Sequence, residues 1–206
     1  GEYPVLIGTQ MVAKGHHFPR VNLVGVLYAE ESLNYPDFRS SERTFQQLIQ
    51  VAGRAGRVGD QGEVVVQTFT PDHHVFKYLE NHDYTGFMRE ELEVRRQLGY
   101  PPFSRIVLAS FGASSKDTLH RVVTRWAGTA RGICGREAGR SIDVLGPVPP
   151  PVERVKNRYR TQVLIKGALT TDIRRRLLDS FRSTAERERG GRSVELRWDV
   201  DPESFY

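Results

Sequence analysis

The chain has 206 residues, 38% of them hydrophobic, one cysteine and a formal net charge of +5 at pH 7; its length suits one large or two small domains. No apolar run approaches the length of a membrane-spanning helix, no charged-then-apolar leader marks it for export, and a lone cysteine makes neither an internal disulfide nor a cysteine-rich zinc site. Charge is uneven, with 10 Lys+Arg against 13 Asp+Glu in residues 1–103 and 20 against 12 in residues 104–206, so the second half is suited to a polyanionic partner, nucleic acid first among them.

In chain order, "VLIGT" at 5–9 and "VNLVGVLYA" at 21–29 are continuous apolar runs. They predict parallel strands covered on both faces. Ser40 or Ser41 is the expected N-cap of a helix whose apolar stripe is Phe45, Leu48, Ile49 and Ala52. "GEVVVQTF" then returns as another buried strand. These strands are too few for a complete doubly wound sheet, and the expectation is a chain that enters in the middle of a domain. A charged helix is predicted from Asp83 to Leu98, with Glu91 and Arg95 at a supportive i,i+4 spacing, and Gly99 with Pro101–Pro102 stops it.

Beyond this connector the pattern is β-α-β-β-α-β. "RIVLASFGA" is a strand, and Leu119, Val122, Val123, Trp126, Ala127 and Ala130 line one helix face. Cys134 lies on the same helical pattern and reads as a core thiol, for which a reducing cytoplasm is the natural home. "IDVLGPVPPPVERVKNRYRTQVLIKG" reads as two strands joined by a proline-rich, then basic, excursion. Ile173, Leu177, Leu178 and Phe181 mark a second helix, and Val194, Leu196, Trp198 and Val200 alternate along a last strand. Two helices over one face of a four-stranded antiparallel sheet is the ferredoxin-like arrangement.

Two stretches carry chemistry. In "QVAGRAGR", Gln50, Arg54 and Arg57 fall at i, i+4 and i+7, so a continuing helix would put all three on one face. Gly53 and Gly56 leave room for a close approach, and guanidinium groups suit a phosphate. The plain alternative is a helix end whose cations favour the macrodipole. In "GTQMVAKGHHFP" a strand ends at Thr9, and a polar loop carries Gln10, Lys14, Gly15, His16 and His17. Loops at the carboxyl ends of such strands are where α/β sheets bind ligands. Adjacent histidines point apart and no carboxylate or cysteine joins them, so no metal is assigned. The pairs His16–His17 and His73–His74 are expected to be solvated or capping.

Together these residues resemble motifs V and VI of superfamily 2 helicases. The forms "TQMVAKGHHFP", "DFRSSER" and "QVAGRAGR", continued through "RRQLGYPPFSRI", "GPVPPPVERVKNRYRTQVLIKG" and "WDVDP", resemble the bacterial primosomal replication-restart helicases, the primosomal protein N-prime family. The resemblance implies an α/β fold with part of the second RecA-like helicase lobe over residues 1–72, a helical connector over 73–103, and the ferredoxin-like α+β domain over 104–206. It implies a 3′-to-5′ ATP-dependent DNA helicase that recognises stalled or repaired forks and reloads the replication machinery. Arg57 matches the arginine finger on the ATP γ-phosphate, with Arg54 beside it and Gln50 helping to position them. Thr9, Gln10, Lys14 and Gly15 match the motif V loop that couples nucleotide state to the DNA backbone. No phosphate-binding glycine loop, acidic box or cysteine array is present, so ATP with Mg²⁺ and a structural zinc are expected only in the longer protein, and the segment alone should not turn over ATP.

The family resemblance also implies branched and single-stranded DNA, single-stranded DNA-binding protein, and primosome and helicase-loading proteins as partners. The expected DNA contacts are Arg154, Lys156, Arg158 and Arg160, whose alternation would aim all four to one side of an extended segment, with Arg174 and Arg175 on the second helix. Tyr159 either stacks on a base or packs on the sheet, and Arg174 or Arg175 is alternatively placed to receive an acidic protein tail. Rival readings are a non-catalytic fork-binding scaffold, another superfamily 2 translocase, and an RNA-binding module.

Overall fold

A computed structural model describes residues 5–9, 21–53, 55, 62–137, 139 and 141–205. The chain divides into two compact units, residues 1–94 and 95–206.

In the first unit, strand β1 (Leu23–Val26) runs parallel to β2 (Glu63–Val66), in the register Leu23 to Glu63 through Val26 to Val66. Helix α1 (Ser40–Ala52) lies between them in sequence; α2 (His74–Glu80) and α3 (Tyr84–Gln97) follow. Phe45 and Leu48 of α1 meet Val75 and Leu79 of α2 and Phe87 of α3 in one core, where the Phe45 and Phe87 rings stack 4.2 Å apart. Stripes at helical spacing make this possible, since each helix brings only a few apolar residues and none buries them alone.

Three expectations for this unit are corrected. Val5–Thr9 is not a strand: Val5, Leu6 and Ile7 are exposed, and no described strand pairs with them, and an apolar run becomes a strand only where a neighbour takes its hydrogen bonds. The β1/β2 pair is covered on one face rather than two, because Val26 and Val66 pack on the core while Leu23 and Val65 face outward. Neither Ser40 nor Ser41 caps α1. The cap position is Arg39, and Asp37 does the work from two residues earlier. Its Oδ1 accepts the Arg39 amide at 2.9 Å, its carbonyl accepts the Ser40 amide at 3.0 Å, and its Oδ2 accepts Arg43 Nη1 at 3.1 Å.

The second unit begins at Arg95, within the last turn of α3, and the helix stops before Gly99, whose φ of 63° is the left-handed conformation that ends helices. Strand β3 (Arg105–Ala113), helix α4 (Lys116–Cys134), strands β4 (Ile142–Val148), β5 (Arg154–Val155) and β6 (Arg158–Gly167), helix α5 (Thr171–Arg187), a 3-10 turn (Gly191–Ser193) and β7 (Glu195–Val200) follow. The sheet order is β4-β6-β3-β7, all antiparallel, with β5 folded back on β6 as a hairpin. Alternation sends Val107, Ala109 and Phe111 of β3 and Val163 and Ile165 of β6 to the helix side. There they meet the predicted stripes of α4 and α5. Trp126 is fully buried against Phe111, Phe181 and Trp198, and its Nε1 donates to Ser180 Oγ at 3.0 Å and Leu177 O at 3.2 Å. Cys134 is buried in the same core, and burial pushes its thiol pKa up, against nucleophilic reactivity.

The other face of the sheet is not bare. Asp201 accepts the Ile106 amide at 3.1 Å and Arg105 Nη1 at 2.7 Å, and Gln162 Nε2 donates to Phe205 O at 3.0 Å. Residues 201–205 thereby cross this face, where Ile106 is 0% and Leu108 7% exposed. Strand β4 is interrupted by a register shift between Leu145 and Val148; at Gly146, with φ 99°, a Cβ would meet Gln162 O at 2.8 Å. Glu195, Arg197 and Asp199 alternate on the tail-covered side of β7, in register with Gly112, Ser110 and Leu108.

Candidate functional site

Gln50 sits near the end of α1 with its side chain exposed. Helix α1 ends at Ala52 with Gly53 at its C-cap, whose amide donates to Ile49 O at 3.0 Å, and Ala55 donates to Ala52 O. The single helical face expected for Gln50, Arg54 and Arg57 falls mostly outside the described residues. Arg54 and Arg57 lie outside the described residues, as do Gln10, Lys14, Gly15 and the pair His16–His17. Thr9 is described, exposed and outside any regular element.

Sequence reasoning missed Glu30, which follows β1 at the carboxyl end of the parallel pair, where ligands of such sheets bind. It is 9% exposed and its Oε2 has no hydrogen-bond partner among the described residues. Its own backbone amide, then the Thr68 hydroxyl and the Phe69 amide, hold its carboxyl below the usual range, outweighing the opposing effect of burial. No periodicity or motif marks such a residue. His73 is a capping histidine: its Nδ1 accepts the Val75 amide at 3.3 Å at the start of α2. Burial first, and then His74, lower its pKa.

In the second unit the run Arg154, Lys156, Arg158, Arg160 does not extend. Lys156 and Asn157, with φ of 47° and 62°, form a two-residue hairpin turn of the kind that needs positive φ at both positions. Because Arg154 opposes Tyr159 in the register, it lies on Tyr159's side of the ribbon, and Arg158 and Arg160 lie on the other. The expectation that all four point one way is corrected: alternation holds only while the chain stays straight. Tyr159 packs on the core, with the Arg154 guanidinium 4.9 Å and the Lys116 ammonium 5.9 Å from its ring centre. Arg158 is half-buried and committed, donating to Gly112 O at 3.0 Å and pairing with Glu195 at 3.2 Å. Lys156 is exposed and Arg160 partly so; neither makes an ion pair with a described residue.

Arg174 and Arg175 begin α5, beyond the far end of β6. Seven residues of β6 follow Arg160 before the strand ends at Gly167, roughly 23 Å at about 3.3 Å per residue. The two basic runs are not one site. Among the described residues, no group of three or more histidine, cysteine, aspartate or glutamate side chains is placed to hold a metal ion, and no helix is long and apolar enough to cross a membrane.

Comparisons with known proteins identify the family. Residues 96–203 match the family model described as the primosomal protein N C-terminal domain, which is more than half of the chain, and the chain belongs to that family. The replication restart protein PriA of Bacillus subtilis is 40% identical over 205 residues, covering 98% of this chain and 24% of that protein. The replication restart protein PriA of Haemophilus influenzae is 38% identical over 207 residues, covering 100% of this chain and 27% of that protein. The chain thus spans about a quarter of the length of these relatives. Among solved structures, the de novo designed protein Foldit4 overlaps at a TM-score of 0.35 and 9% identity, covering 49% of this chain and 99% of that one, too slight a likeness to argue from.

Proposed function

We propose that the chain is part of an ATP-dependent 3′-to-5′ DNA helicase that recognises stalled or repaired replication forks and restarts replication by primosome assembly in the bacterial cytoplasm. The observation that carries this is that relatives named as replication restart proteins match nearly the whole chain, "QVAGRAGR" included, rather than the C-terminal domain alone. In this reading the first unit belongs to the second RecA-like lobe. A parallel strand pair with Leu23 and Val65 bare supports it, since parallel sheets are ordinarily covered on both faces. The second unit reads as ferredoxin-like, supported by its β-α-β-β-α-β sequence, its sheet order and its two helices on one face.

ATP with Mg²⁺ is the substrate of the whole protein, and zinc belongs to a portion outside this sequence. Within the chain, Arg57 neutralises charge on the transferred phosphoryl group, Arg54 lies beside it, and Gln50 positions them from the end of α1. Thr9, Gln10, Lys14 and Gly15 pass nucleotide state to the DNA backbone. Branched and single-stranded DNA, single-stranded DNA-binding protein and primosome loaders are the partners. Arg154, Lys156, Arg158, Arg160, Arg174 and Arg175 supply the DNA contacts of the second unit.

The test is Arg57→Ala in the full-length protein. DNA-stimulated ATPase should fall by about 10³-fold or more while fork binding stays within a few-fold. Near-normal ATPase would remove the arginine-finger assignment, and a full-length protein without DNA-stimulated ATPase would favour the scaffold reading.

A further inference from the structure

The topology of the second unit brings to one end of the sheet basic residues that are far apart in sequence. Gly112, near the end of β3, lies opposite both Arg160 of β6 and Glu195 of β7. The hairpin turn at Lys156, the first turns of α4, the end of α5 and the 3-10 turn are therefore neighbours. Side-chain contacts join them in sequence: Lys116 pairs with Glu153 at 2.7 Å beside Tyr159, and Arg121 donates to Arg189 O at 3.0 Å.

The acids here are largely committed. Glu188 is shared by Arg121 at 3.2 Å and Arg125 at 2.6 Å, and Glu195 is taken by Arg158. Asp117 and Glu186 remain. Arg187, Arg189 and Arg192 are exposed and make no ion pair with a described residue, as is true of Lys156. The positive end of α4 and the negative end of α5 oppose each other at this place, so side chains carry the surplus.

We infer that the hairpin tip and the Arg187–Arg192 turn form a single ledge for the sugar–phosphate backbone of nucleic acid, gripping phosphates without stacking on bases. This rests on the proposed function and places its DNA contact. The ledge crosses the ends of β5, β6, β3 and β7, roughly 14 Å at about 4.8 Å per strand, the rise of about four nucleotides of one strand. Arginine outnumbers lysine on it, which suits bidentate phosphate contact. Tyr159 offers no free face to a base, since it is packed on the core with two cations at its ring. Residues 201–205 occupy the part of the sheet's other face over Ile106 and Gln162.

The experiment measures binding of the full chain to a fork and to a single strand across a salt series. The variants are Arg189→Ala with Arg192→Ala, and Lys156→Asn, which removes a charge while keeping a residue tolerant of positive φ. Both sites are exposed, and the Arg189 carbonyl that Arg121 uses survives the change. Each lost contact should flatten the slope of log K against log salt by about 0.9 on duplex, so the double variant loses about 1.8 and Lys156→Asn about half as much. An abasic strand of equal length should bind within about twofold of a normal one, because stacking is absent. Wild-type affinity and slope in the double variant overturn the ledge, as does loss confined to Arg174→Ala with Arg175→Ala. Displacement of the strand by a polyglutamate peptide at matched charge assigns the surface to an acidic protein instead and also overturns it. A wild-type chain with no salt-dependent nucleic-acid binding at all fails the functional reading itself.

Discussion

The two units differ in how far each completes its own sheet. In the second, six longer elements and a short hairpin close an antiparallel sheet whose helix side is filled by the unit's own α4 and α5. In the first, β1 and β2 pair only with each other among the described residues, and one face of the pair stays bare. An antiparallel pair can be joined by a short hairpin, whereas a parallel pair needs a crossover, here through α1, and parallel sheets are ordinarily covered on both faces. Stability in the second unit should accordingly rest on a large shared aromatic core, and in the first on a smaller core around Phe45 and Phe87 aided by local capping.

Three substitutions test that contrast. The largest effect should come from Trp126→Ala, which removes a fully buried ring from the middle of the second core and should destabilise it by about 3–5 kcal/mol. Hydrogen exchange should show protection collapsing together across β3, β6, α4 and α5, with the first unit unchanged; equal loss in both would break the contrast. Asp37→Ala should be smaller, about 0.5–2 kcal/mol, because it removes the carboxylate that accepts from the Arg39 amide and pairs with Arg43. Faster exchange confined to the start of α1 is the expected signature, and slow exchange there would show that Asp37 is dispensable.

The smallest effect concerns His73. Its folded pKa is lowered from 6.5, so just below pH 6.5 the unfolded chain binds more protons than the folded one. Its contribution is whole above that pH and is lost as pH falls through the lowered value. His73→Asn keeps a capping side chain and should flatten this acid-side decline in the first unit. An unchanged decline would put the titration elsewhere.

Much of the second unit was legible. Val122, Trp126 and Ala130 on α4, and Leu196, Trp198 and Val200 on β7, follow the periods of 3.6 and 2 that burial on one face imposes. What escaped was what periodicity does not encode. Lys156–Asn157 lacks the glycine that usually announces a two-residue hairpin turn, so the sequence pattern of a folded ribbon looks like that of one extended segment. Asp37 caps from outside the helix, and α2 is only seven residues long. The candidate site was legible as motif in the first unit, where Gln50 lies on the expected helix while Arg54 and Arg57 are outside the described residues. In the second unit the hairpin residues were found, but Arg189 and Arg192 were not, because only strand pairing makes them neighbours of Lys156.

The margins of the second sheet have a consequence of their own. Exposed strand edges invite other chains to add on, and proteins blunt them to stay dispersed. Here each margin is blunted differently. Strand β4 carries the break at Gly146, followed by Pro147, which has no amide hydrogen to offer a newcomer. Strand β7 sets Glu195, Arg197 and Asp199 at every second position, so an incoming strand would have to match a fixed pattern of charge. Lateral growth into fibrils is thereby discouraged along both sides, and the strand ends, where the arginines gather, are left as the place to meet a partner.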